Sequence, residues 1–206
     1  EVLLSSGWQV TGFSRRKIDH KNPNFTSQLV DLYQTEQLLD CLQKLPPIDT
    51  VIHAAGKMAA APLGELNLED SLSLWHLHVH VAEILANNLA PQLPPGGRIV
   101  LIGSRTSKGV PGRSQYVATK SAMIGMVRSW AAELAPKGIT VNIIAPGATE
   151  TPMLLNPERK SSPPKLPPIG RYISPHEVAE YVEFILSPAA SSITGQELIM
   201  CGGASL

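Results

Sequence analysis

Tyr116 and Lys120 stand four positions apart in an uninterrupted helical pattern, and Ser104 precedes the tyrosine by twelve. Side chains at i and i+4 share a helical face, so the phenol and the ammonium are expected to be neighbours. A free tyrosine titrates at about pH 10, too high for a base at neutral pH, and a nearby ammonium lowers that value by favouring the phenolate. A hydroxyl such as that of Ser104 could hold a substrate oxygen while Tyr116 passes a proton. Taken alone, the Tyr-x-x-x-Lys spacing describes an ordinary amphipathic helix equally well.

The elements that must position these groups are legible on both sides. Gly97-Arg98 followed by Ile99, Val100, Leu101 and Ile102 reads as a buried strand. It places Ser104 at the strand's carboxyl end, where open α/β sheets bind ligands. Gly109, Pro111 and Gly112 break the chain before helical spacing resumes over residues 113–135. Downstream lies Val141-Asn-Ile-Ile-Ala-Pro-Gly147. With these motifs nearly the whole chain resembles the short-chain dehydrogenase/reductase family of nicotinamide-dependent oxidoreductases. The resemblance implies a Rossmann-like, doubly wound parallel sheet. It also implies catalytic roles: Ser104 orients the carbonyl or alcohol, Tyr116 is the acid/base, and Lys120 lowers the tyrosine pKa and holds the nicotinamide ribose.

Composition sets the outer limits. A chain of 206 residues with 43% hydrophobic and 17% charged residues fits one globular domain over 1–206, the α/β class being what the motifs and the resemblance imply. Seventeen basic and seventeen acidic residues cancel, so no global field recruits nucleic acid or an anionic membrane. Two cysteines, Cys41 and Cys201, form neither a disulfide framework nor a metal spacing, which predicts a reducing, cytoplasmic setting.

The sequence opens in mid-motif. Residues 1–6 read as the tail of a helix stopped by Gly7, and residues 8–13 as a strand. The first strand and Gly-rich turn of a dinucleotide fold, whose amides would bind the pyrophosphate, have no counterpart among the 206 residues. That strand would lie between the strands at Trp8 and Thr50. The domain is therefore expected to lack an N-terminal segment that the working protein has; the alternatives are a truncated product or direct pairing of the flanking strands.

Several positions bear on a cofactor. After the strand, Ser14-Arg15-Arg16 has Ser where an acidic residue would select NAD(H), and arginine matches the extra phosphate of NADP(H). NADP(H) is favoured, although a solvated basic turn has the same composition. The resemblance further implies that Asp31 and Leu32 flank the adenine, that Ala55 and Gly56 lie along the cofactor, and that Pro146, Gly147, Thr149 and Thr151 belong to the loop holding the nicotinamide carboxamide. Residues 68–93 read as one long helix whose stripe Leu72, Trp75, Val79, Ala82, Ala86 and Leu89 is expected to be buried. His76, His78 and His80 lie within it. The resemblance puts His78 where a water-binding asparagine completes the catalytic set, and a core histidine is the plainer reading. The Pro-rich stretch 154–171 is either a substrate lid or a solvated connector.

The resulting expectation is an NADP(H)-dependent oxidoreductase acting on a small-molecule alcohol/carbonyl pair, such as a 3-oxoacyl group, and forming a homodimer or homotetramer through its two long helices. The rivals are a cofactor-deficient fragment of the same fold and a protein that binds or senses without turnover.

Overall fold

Continuous apolar runs predict strands that helical layers cover on both faces, and the computed structural model, which describes residues 1–155 and 163–206, forms six strands among those residues. Helix α1 (Val2–Ser5) leads to β1 (Val10–Ser14) and β2 (Phe25–Leu29), then α2 (Thr35–Gln43) and β3 (Thr50–His53). A long rod follows, made of α3 (Leu68–Trp75), a π-helical turn (His76–His80) and α4 (Val81–Leu89). Beyond it come β4 (Arg98–Ile102), α5 (Ser114–Leu134), β5 (Thr140–Pro146), the short α6 (Pro152–Leu155), α7 (Pro175–Leu186) and β6 (Glu197–Met200).

Every strand pair is parallel. Strands β3, β4, β5 and β6 are adjacent in that order, with Ile99 opposite Val141, while β1 pairs with β2 from Val10 opposite Phe25. Because side chains alternate across a sheet, Ile99, Leu101, Val141 and Ile143 join one core with Leu38 of α2, Leu85 of α4 and Met123 and Val127 of α5. Val100 and Ile144 point the other way, against Val182 and Ile185 of α7, with Leu3 of α1 beside them. Helices thus cover both faces, which is the doubly wound arrangement.

Strands β1 and β3, read as flanking an interposed strand, do not pair with each other among the described residues. Phe13 and Val30 from the two-stranded part instead pack in the same apolar cluster as Leu38 and Val51.

The rod departs from the predicted single helix. Its π-helical turn inserts one extra residue, which rotates the following helix by about 100° relative to the preceding one. The buried face therefore changes partway. Leu74, Val79, Val81, Ala82 and Leu89 are buried, whereas Leu72 and Trp75, read as part of the buried stripe, are 75% and 49% exposed. Leu68 is exposed on the same helix.

Candidate functional site

Tyr116 lies in the first turn of α5 and Lys120 one turn on, and the i, i+4 spacing does bring them together. The Lys120 ammonium is 5.9 Å from the centre of the Tyr116 ring. It is also buried, and it donates to the carbonyl of Ile102 at the carboxyl end of β4 (2.8 Å). Burial disfavours the charge and pulls the Lys120 pKa down from 10.5 to about 7. Ser104 follows β4 and caps the 3-10 turn Arg105–Lys108; its hydroxyl accepts from the Thr106 N–H (3.3 Å) and pairs with the Thr106 hydroxyl (2.9 Å).

His78 occupies the π-helical turn with no exposed surface. Its Nε2 accepts from the backbone N–H of Lys57 (3.2 Å), which leaves the proton on Nδ1 to be donated to the Thr119 hydroxyl (2.8 Å). The Thr119 hydroxyl in turn donates to the carbonyl of Tyr116 (2.9 Å). The imidazole meets the Tyr116 ring edge-on at 5.6 Å. Burial, reinforced by the Lys120 charge, lowers the His78 pKa to about 2, so the ring is neutral. His53, at the end of β3, is likewise held neutral, with a pKa near 4 caused first by burial and then by Lys120; its Nε2 donates to the carbonyl of Leu77 (3.0 Å).

A cavity of about 670 Å³ opens along the carboxyl ends of β1, β2 and β3, within the size range of pockets that hold small molecules. Ser14, Arg15, Asp31, Leu32, Ala55 and Gly56, all assigned to a cofactor from sequence, line it. Arg16 lies outside this lining and instead borders an adjoining recess with Ser14, Arg15 and Ile18. The Ser14 hydroxyl donates to the Arg16 carbonyl and folds that turn. Gly56 has a steric reason to be glycine: a Cβ there would stand 3.2 Å from His78 Nε2 and 4.0 Å from Lys120 Nζ. Cations at the β1 end and a small-residue wall together fit an extended phosphorylated nucleotide, whereas Ser104, Tyr116 and Lys120 are buried and fall outside the cavity lining.

Pro146, Gly147, Thr149 and Thr151 fall outside this cavity lining, past the end of β5. The Thr149 hydroxyl donates to the Gly147 carbonyl (3.2 Å), and that of Thr151 to the Thr149 carbonyl (3.3 Å). A Cβ on Gly147 would come within 2.9 Å of the Cys201 Cα. The stretch 154–171, read as lid or connector, has its central residues 156–162 outside the described residues. Its later part is tied down where the Ile169 N–H donates to the Gly202 carbonyl (3.2 Å) and where Arg171 grips Glu177 through two bonds of 2.7 and 2.8 Å.

Sequence reasoning missed Tyr33, Lys57 and Ser73, which also line the cavity, and Thr119. Only Thr119 had a local signal, its place beside Lys120 one turn beyond Tyr116.

Comparison with known proteins gives a consistent picture. A family model described as Enoyl-(Acyl carrier protein) reductase matches residues 30–205. A Cyclic-di-GMP-binding biofilm dispersal mediator protein of Escherichia coli strain K12 is 32% identical over 173 residues, covering 82% of this chain and 73% of the relative. A 3-oxoacyl-(acyl-carrier-protein) reductase FabG of Rickettsia felis is 31% identical over 185 residues, covering 87% and 77%. Among solved structures, that of BdcA in complex with NADPH superposes with a TM-score of 0.78 at 32% identity, covering 87% of this chain and 75% of that one.

Proposed function

The chain belongs to the short-chain dehydrogenase/reductase family, and we propose that it binds a nicotinamide dinucleotide, NADP(H) before NAD(H), and interconverts an alcohol and a carbonyl compound. The observation that carries this reading is the convergence at Gly56. The cavity wall there has no side chain, and the ammonium of Lys120 and the ring of His78 lie just behind it. On this reading a dinucleotide lying along the wall brings its nicotinamide end toward Lys120.

When bound, the nicotinamide supplies or accepts the hydride. Tyr116 gives a proton to the substrate oxygen or takes one from it. Lys120, held by the Ile102 carbonyl, favours the phenolate whenever it carries its proton and stands where a ribose hydroxyl could reach it. Ser104 holds the substrate oxygen through a hydroxyl oriented by Thr106. Arg15 pairs with the adenosine 2′-phosphate, while Asp31 and Leu32 border the adenine. The loop of Pro146, Gly147, Thr149 and Thr151 borders the nicotinamide end. His78 is better suited to fixing the Gly56–Lys57 backbone than to carrying protons, because it is neutral and both its ring nitrogens are committed. The NADPH-bound structural neighbour and the reductase relative support this reading.

A panel of ketones and alcohols with NADPH and NADH tests it. Wild-type turnover should exceed that of Tyr116→Phe by at least about 100-fold, with NADPH affinity unchanged. Equal rates in the two proteins would overturn the assignment of Tyr116.

A second reading is binding without turnover. The relative named for binding cyclic-di-GMP supports it, and the Ser104 hydroxyl is already engaged by Thr106. On this reading every substrate in the panel is inert, while cyclic-di-GMP raises the melting temperature.

A further inference from the structure

Besides Arg15, one more cation lines the cavity. Lys57 follows Gly56, and its two halves behave differently. The backbone is fixed, because its N–H donates to the buried Nε2 of His78. The side chain is only loosely held: Nζ touches Asp70 Oδ1 at 3.2 Å, with both side chains 36% exposed. A half-exposed ion pair with one contact is worth little in water, so the ammonium can change partners at small cost.

We propose that Lys57 exchanges Asp70 for the diphosphate linking the two halves of the dinucleotide, and so is a positioning residue of the cofactor site. This rests on the cofactor reading above. A dinucleotide with its adenosine beside Arg15 and Asp31 and its other end toward Lys120 must carry its diphosphate along the wall that Gly56 and Lys57 form. Asp31 cannot serve there; it is an acid, and its carboxylate accepts the Tyr33 N–H (3.1 Å). Asp70 therefore competes with the ligand for Lys57. That competition gives the proposal opposite signs for its two substitutions.

Fluorescence titrations of the full chain with NADPH and NADH, and calorimetry with adenosine 2′-phosphate, test this. Lys57→Gln should weaken both dinucleotides by the same factor, about tenfold for the loss of one charge-assisted contact, and leave adenosine 2′-phosphate unaffected. Asp70→Asn should tighten both dinucleotides about threefold, a gain that misfolding cannot produce. Arg15→Gln should weaken NADPH and adenosine 2′-phosphate while sparing NADH. Wild-type affinity of Lys57→Gln for both dinucleotides, an effect on NADPH alone, or weaker binding by Asp70→Asn would overturn the assignment of Lys57. Failure of the wild-type chain to bind either dinucleotide would instead overturn the cofactor reading, and Lys57 with it.

Discussion

Three buried nitrogenous side chains, Lys120, His78 and His53, crowd the same end of the sheet, and each resists carrying a proton. This makes stability depend on pH with a calculable sign. Below pH 6.5 the unfolded histidines bind protons that the folded rings refuse, so stability falls as pH drops from 6.5 toward 4 for His53 and further toward 2 for His78. Each contributes a slope approaching about 1.4 kcal/mol per pH unit within its window. Lys120 acts at the other end: unfolding takes up a proton between pH 7 and 10.5, so the penalty for burying its charge is relieved as pH rises across that range. Denaturant midpoints measured from pH 4 to 10 should therefore show a shallower acid limb in His78→Asn. In Lys120→Met the alkaline rise should vanish. Unchanged limbs would mean that these groups hold their protons in the folded state after all. Tyr116 and Lys120 were legible from spacing alone, because a helix makes i and i+4 neighbours whatever the surrounding fold. Tyr33 and Lys57 were not, because they reach one cavity only when the loops after β2 and β3 are laid side by side.

Among the elements, the π-helical turn has the largest effect on the site. It puts His78 inward toward Thr119 and Tyr116 and at the same time turns Leu72 and Trp75 outward. A period of 3.6 read straight through the rod could not show this, since the sequence pattern carries no mark of one inserted residue. The strands were more legible than the rod. Their apolar runs reflect burial on both faces, and β4 falls within a residue of the predicted bounds. Where β5 ends, Gly147 passes so close to Cys201 that a Cβ would meet backbone rather than a yielding side-chain tip. Gly147→Ala should therefore destabilise the fold by about 1–3 kcal/mol, read as a lowered denaturant midpoint. A midpoint equal to wild type would show that the ends of β5 and β6 can separate freely.

In the molecule as a whole, β1–β2 and β3–β6 share no strand pairing among the described residues, and the cavity lies between them. Ser14, Arg15, Asp31 and Leu32 come from the β1–β2 part, and Ala55, Gly56 and Lys57 from the loop after β3. A ligand in this cavity would touch both parts and should stabilise them together, because binding to the folded state alone adds to its stability. The family resemblance carried the doubly wound arrangement, whereas the division of the sheet follows from which strands pair. The most direct test is the melting temperature of the full chain with and without millimolar NADPH, alongside NADH and Arg15→Gln. The account predicts a rise with NADPH that exceeds the rise with NADH and shrinks in Arg15→Gln. No rise at millimolar NADPH would contradict it.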